Sequence, residues 1–253
     1  MTEWLVDGLI PKGHVVLLLG EAHSGKAWLA EQLAICVASG NSFLDRFEVQ
    51  QQPVILVDED SGTNSFKRRF YRLARGLDVD LSLVPLLCYS RCDFILWDVH
   101  KRQWLRNLIK QQKGKPLVII DSLERVMLGQ DLYRIEAGAQ VGQFWHELRD
   151  AGATLIMVHQ VSMKKRVSIE DWDITHLAPG CTMLVEGADM AICMFRAPTA
   201  RTEFIMKPLE RRTRLKICRP FSIVLQEDES ETWAKLRVSE ELPELSGKAV
   251  TTP

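Results

Sequence analysis

The chain has few cysteines, and none of them stand together. Its six, Cys36, Cys88, Cys92, Cys181, Cys193 and Cys218, include no C-x-x-C pair. Cys88 and Cys92 are nearest, but no cysteine or histidine set follows at the spacing of a zinc site. That excludes the usual structural zinc module and predicts reduced, mostly buried thiols. Long apolar runs are missing too: none approaches the ~20 residues of a membrane span. The opening Met1-Thr2-Glu3-Trp4 lacks the basic start and apolar stretch of a secretory leader, so the expected location is the cytoplasm. An excess of positive charge is also absent. Lys and Arg number 32 against 33 Asp and Glu, a formal net charge of −1. This argues against a generally basic nucleic-acid binder and leaves room for one local basic loop. Neither internal repeats nor low-complexity segments occur.

What is present is an ordinary globular composition, 46% hydrophobic and 26% charged over 253 residues, long enough to bury a full core. Residues 1–240 are expected to form one domain. Residues 241–253, polar with Pro and Gly, are expected to be a disordered tail. Apolar runs at Val15–Leu19, Val54–Val57, Leu83–Cys88, Leu117–Ile120 and Thr154–Val158 read as strands. Between them Ala27–Ala38, Ser65–Gly76, Val99–Gln112 and Glu136–Asp150 read as helices. Alternation of this kind predicts a mostly parallel central sheet flanked by helices, an α/β fold. From Asp189 the pattern changes to Met190–Phe195, Glu203–Met206, Phe221–Leu225 and Thr232–Arg237, a C-terminal antiparallel strand meander.

Polar residues collect where the predicted strands end. The first strand runs into Gly20-Glu21-Ala22-His23-Ser24-Gly25-Lys26-Ala27, a phosphate-binding loop complete except for its last position. Strand, glycine-bounded loop and helix are the context this motif needs, because backbone N–H groups and a helix N-terminus must face the phosphates. Gly20 through Trp28 are therefore the candidate nucleotide-binding residues, with Lys26 reaching the β- and γ-phosphates of ATP. The Ser or Thr that normally follows the lysine and binds Mg2+ is replaced by Ala27. The second strand ends in Asp58-Glu59-Asp60, the fourth in Asp121-Ser122 and the fifth in His159-Gln160. In an open α/β sheet, ligands bind beyond the carboxyl ends of the parallel strands, so these groups should gather at one edge.

Each group has two readings. Asp121 positions magnesium through water, or is a solvated turn aspartate before a helix. Glu59 is a general base, or one of three acids at a solvated strand end. His159 and Gln160 sense the γ-phosphate, or the histidine is a core residue with its own partner.

The order of motifs resembles the RecA-like P-loop ATPase core, and within it the branch of plasmid RepA-type hexameric helicases. The likeness is carried by Trp4-Leu5-Val6-Asp7-Gly8-Leu9-Ile10-Pro11-Lys12-Gly13 ahead of the first strand, by Val57-Asp58-Glu59-Asp60, by Ile120-Asp121-Ser122-Leu123 and by Val158-His159-Gln160. The resemblance implies an ATP site shared between neighbouring subunits of a ring, a hexamer in that branch. Lys26 would contact phosphates, Glu59 would be the catalytic base, Asp121 with Asp60 would hold the Mg2+ shell, and Gln160 or His159 would act as sensor. It also implies a basic residue supplied by the next subunit from the late strands, where Lys207, Arg211, Arg212 and Arg214 stand.

Two departures weaken the likeness. Ala27 has no oxygen, and Pro179-Gly180-Cys181-Thr182 occupies the place where relatives carry Arg-Gly-Ser. The loop from Val161 to Pro179 lies where such motors contact DNA. Lys164, Lys165 and Arg166 supply local charge there and Trp172 a stacking ring, among Glu170, Asp171 and Asp173. The leading reading is an ATPase that assembles through its nucleotide sites and acts in DNA replication, recombination or a related DNA transaction, with single-stranded DNA as a candidate partner. The competing reading is a nucleotide-sensing scaffold without effective hydrolysis. A small-molecule kinase fits the first strand and helix but leaves Glu59 and the terminal meander unexplained.

Overall fold

A computed structural model describes residues 2–131, 134–161, 184, 187–197, 201–210 and 215–239. A short antiparallel ribbon comes first, β1 (Trp4–Val6) against β2 (Ile10–Pro11). Then β3 (Val15–Gly20) enters the centre of the sheet, and its burial pattern shows why. Val15, Leu17 and Leu19 pack into one apolar layer, Val16 and Leu18 into the other, and all six residues are buried. A strand apolar on both faces is stable only with helices on both sides.

Those helices are supplied in chain order. After β3 come α1 (Lys26–Ser39), β4 (Val54–Asp58), α2 (Thr63–Gly76), β5 (Leu86–Ser90) and α3 (Val99–Gln111). β6 (Leu117–Asp121), the one-turn α4 (Leu123–Val126), α5 (Ile135–Asp150) and β7 (Thr154–Gln160) follow. The last strands are β8 (Met190–Arg196), β9 (Glu203–Glu210), β10 (Phe221–Glu227) and β11 (Ala234–Val238). The sheet order is β11-β10-β9-β8-β3-β7-β6-β4-β5, parallel from β8 to β5 and antiparallel from β8 to β11. The expected α/β architecture with its antiparallel terminal strands is what forms. Leu29, Leu33, Phe66 and Phe70 of α1 and α2 fill one layer, while Leu105, Ile109, Phe144 and Trp145 of α3 and α5 fill the other.

Helix α1 is buried continuously from Leu29 to Ala38, which explains its Ala- and Leu-rich sequence. Its polar exceptions each have a partner. Gln32 donates from Nε2 to Leu236 O at 2.6 Å and accepts from Leu236 N at 2.6 Å, so its amide completes the backbone of β11. Glu31 is bound by Arg69.

Several boundaries differ from the sequence reading. The strand expected at Leu83–Cys88 starts at Leu86, because Asp80 caps a 3₁₀ turn at Leu81–Leu83 and Pro85 follows. The last strand starts at Ala234, not Thr232, because the Asp228 carboxylate accepts from the Thr232 and Trp233 N–H groups and holds them in a turn. The thiols are also less buried than expected. All five described cysteines are free, but only Cys36 and Cys193 are buried; Cys88 is exposed, and Cys92 and Cys218 lie between. Cys181 and the tail at 241–253 lie outside the described residues. No helix among the described residues is long and apolar enough to cross a membrane.

Candidate functional site

The loop between β3 and α1 is shaped by its glycines. Gly25 sits at the helix start with φ 85°, a conformation other L-residues adopt at a cost, and a Cβ there would lie 3.0 Å from the Phe204 ring. At Gly20 a Cβ would collide with Ser24 Oγ and lie 2.7 Å from Met194 O. Glycine backbone with no Cβ lets neighbouring groups pack closely against the loop, the feature by which such loops let a ligand approach their N–H groups. Ser24 is buried, and its Oγ has no hydrogen-bond partner among the described residues. Glu21, Ala22 and His23 are exposed; Ala27 and Trp28 are half-buried. Lys26 folds back over the loop and donates from Nζ to Gly20 O (2.8 Å) and Glu21 O (2.7 Å). Burial pulls its pKa below the usual 10.5, against the opposing charges of Asp121, Glu124 and Asp60.

Across the loop the strand ends line up as their register requires: Gly20 pairs with Gln160, and Asp58 with Asp121. Asp121 is 7% exposed. Burial first, then repulsion by Asp58 and Asp60, pushes its carboxyl up to about 7, with Arg69 and Lys26 pulling the other way. Asp58 is buried and accepts from the N–H groups of Asp60 (3.2 Å) and Ser61 (2.9 Å). Asp60 lies at the surface and its Oδ1 accepts from Arg125 Nε at 2.8 Å. Glu59 turns away. Its Oε1 accepts from Cys92 N (3.1 Å), Cys92 Sγ (3.1 Å) and Phe94 N (2.9 Å), so the carboxylate staples the turn after β5 and is not part of the cavity wall.

At the end of β7, His159 is buried and its Nδ1 lies 2.7 Å from Glu124 Oε1. The same oxygen accepts from Gln160 N at 2.6 Å. Burial opposes ionisation of Glu124, but the His159 ring outweighs it and holds the carboxyl below its usual range. His159 therefore faces a carboxylate within the fold, whereas Gln160 is exposed and lines the cavity. A second ion pair backs the loop. Arg69 of α2 grips Glu31 with Nε at 2.9 Å from both oxygens, and its other nitrogen reaches Ser61 Oγ at 2.9 Å. The guanidinium groups of Arg69 and Arg72 lie 5.9 and 5.6 Å from the centre of the Trp28 ring, within range of cation–π attraction.

These groups enclose a cavity of about 940 Å³. Its lining includes the loop from Ala22 to Trp28, the polar groups of Asp60, Asp121, Glu124 and Gln160, and Arg196, Arg201, Phe204 and Leu225 from the later strands and the turns beside them. The structure thus brings together Lys26, Asp121, Asp60 and Gln160. It does not bring Glu59 or Lys207 to the cavity; Lys207 is buried at 8% exposure on the opposite face of β9 from Phe204. Arg211, Arg212 and Arg214, and the loop cations Lys164, Lys165 and Arg166 with Trp172, lie outside the described residues. Sequence reasoning missed Glu31, Arg69, Glu124, Arg125, Arg196 and Arg201. Glu124 carried a usable signal, since an acid in the first turn after Asp121-Ser122 must stay near the strand ends; the others carried none.

No set of three or more His, Cys, Asp or Glu side chains among the described residues is arranged to hold a metal by itself. The crowded carboxylates nonetheless fit a divalent cation that arrives with other oxygen ligands. Mg2+ keeps most of its shell as water and phosphate oxygens and uses one or two carboxylates. The Asp121 carboxyl is raised by burial first and by the charges of Asp58 and Asp60 second, and a cation beside it would offset both. A family model described as an AAA domain matches residues 1–166, which include the loop and the four strand ends but not Arg196, Arg201, Phe204 or Leu225.

Proposed function

Because the chain belongs to the AAA domain family of P-loop ATPases, we propose that the cavity binds ATP with magnesium and hydrolyses it. The observation that supports this most directly is Lys26, whose ammonium lies on two neutral carbonyls across from Asp121. Phosphate oxygens would replace those carbonyls with anionic acceptors, which hold an ammonium more strongly. The N–H groups at the start of α1 would meet the same phosphates. Asp121, assisted by Asp60, would hold the metal, which would offset charge developing on the transferred group. Gln160, beside Gly20 in register, would read the terminal phosphate. Trp28, Phe204 and Leu225 would supply apolar surface for the base.

The finer reading is assembly into a ring through shared nucleotide sites and a role in DNA replication, recombination or a related transaction. It rests on the motif order resembling RepA-type helicases and on the basic segment at Lys164, Lys165 and Arg166. One observation favours the alternative, a scaffold that binds nucleotide without turning it over: Ala27 offers the metal no oxygen.

ATP turnover measured with and without single-stranded DNA, beside a nucleotide titration, tests these readings. Lys26→Ala should weaken ATP binding at least tenfold with an unchanged melting temperature, since each charge-assisted bond is worth roughly 1.5–3 kcal/mol. Equal affinity would remove the ATP site. Replacing Lys164, Lys165 and Arg166 with Ala should flatten the log–log salt dependence of DNA binding by about two. A parent chain that binds ATP without turnover, and binds no DNA, would leave the scaffold.

A further inference from the structure

Strand β5 closes the sheet at one edge, and among the described residues no strand pairs with its outer side. An open edge is a template for stray pairing unless something covers it. Beside this edge runs a groove of about 360 Å³. Phe66, Phe70 and Tyr71 of α2 line it, with Leu86 and Cys88 of β5 and Leu81 from the turn between the two elements. The Phe66 and Phe70 rings stack 5.1 Å apart, Tyr71 is 59% exposed, and Cys88 is exposed as well. Lys67 also lines the groove, and both it and its neighbour Arg68 face solvent. An apolar trough with cations at its lip fits an extended segment that carries apolar side chains and acids.

The chain itself holds such a segment. Glu240-Glu241-Leu242-Pro243-Glu244-Leu245 combines three acids with two leucines, and its proline favours extended backbone at the residue before it. The place where it begins suits the groove. Val238 N donates to Leu44 O, and Asn41, three residues earlier, donates from Nδ2 to Leu77 O just past α2. Ser239 therefore lies toward the end of α2 from which the chain continues to Leu81 and Leu86. Leu245 stands six residues beyond Ser239, a reach of up to ~20 Å. We propose that residues 240–245 dock back on their own chain, with Leu242 and Leu245 in the groove between α2 and β5 and the acids against Lys67 and Arg68. Tethering lets a weak contact suffice, because a short linker keeps the segment at a high effective concentration. The cover removes apolar surface from water and shields the open edge of β5 from other chains. It is independent of what the nucleotide cavity binds.

Cys88 reads the cover directly, because its thiol lies in the groove. The full chain and its Leu242→Asp/Leu245→Asp variant are treated with N-ethylmaleimide, and labelling is followed by peptide mass spectrometry. Cys218, which does not line the groove, serves as the reference. The double variant should label at Cys88 faster by about fivefold or more, with Cys218 unchanged. Added negative charge by itself slows thiolate formation, so a faster rate reports uncovering. Lys67→Glu repels the acids of the segment and should speed labelling by about twofold or more. A synthetic peptide of residues 239–247, added to the double variant, should slow it again. Equal Cys88 rates in the parent and the double variant overturn the proposal. A Lys67→Glu rate equal to the parent's overturns the charge match that selects this occupant. Protection that grows with protein concentration would place the segment of a second copy in the groove and overturn docking within one chain.

Discussion

Asp121 should make the empty protein less stable as pH rises, and Asp121→Asn should remove that dependence. The folded carboxyl is pushed from 3.8 up to about 7, chiefly by burial and then by Asp58 and Asp60. A group whose pKa is raised by folding contributes fully below its unfolded value, and the contribution is lost as pH climbs through the folded value. The window here runs from about pH 4 to about pH 7. Each pH step costs about 1.4 kcal/mol, so the whole span is on the order of 4 kcal/mol, an upper figure because side chains and water relax around a forced charge. Asn has nearly the same shape and no charge. The stability gap between Asp121→Asn and the parent should therefore widen in favour of the variant from pH 5 to pH 7, by roughly 1–3 kcal/mol, and stay level above that. Urea unfolding at pH 5, 6, 7 and 8, without nucleotide or divalent cation, measures it. A gap that does not change with pH, or a variant less stable than the parent at pH 8, would refute the account of the acid cluster.

Two further outcomes follow from the site. Arg69→Ala leaves Glu31, whose side chain is 4% exposed and whose carboxyl burial pushes up to about 8, without its partner, and should cost about 2–4 kcal/mol in urea unfolding at pH 8, less where the carboxyl takes up a proton; Arg69→Lys should recover little, because a single ammonium cannot reproduce the bidentate grip. A loss below about 1 kcal/mol for Arg69→Ala would show that the pair is not a structural one. Ala27→Thr places an oxygen at the start of α1 and should strengthen magnesium-dependent ATP affinity or raise turnover, read by titration with and without the metal. No response in either would mean that other groups hold the cation.

Much of the fold could be read because its central strands are apolar on both faces. Val15–Leu19 or Leu117–Ile120 suits little except a strand covered from both sides, and strand ends rich in acids and glycine locate the cavity edge. What escaped depended on direction and on distant partners. Glu59 looked like the cavity's carboxylate because its neighbours are, but the turn at Cys92–Phe94, more than thirty residues on, draws it away. Lys207 looked available among basic neighbours, yet strand alternation puts Phe204 and Met206 on one face and leaves the lysine on the other, beneath packed side chains. Arg69 was one of several cations in α2, and only the buried Glu31 on another helix singles it out. The ribbon of β1 and β2 and the single turn of α4 are too short for periodicity to register.

The position of β3 also sets a timetable for synthesis. The strand leaves the ribosome early, but the neighbours that clasp it, β7 and β8, begin only at Thr154 and Met190, and the aromatic ring that backs Gly25 arrives with Phe204. Until those segments have been made, the loop between β3 and α1 has no walls to lean on, since long-range parallel pairing must wait for distant sequence. A nascent chain of this design cannot complete its cavity before Phe204 has emerged, so a ligand of the cavity can reward only molecules that have passed that point.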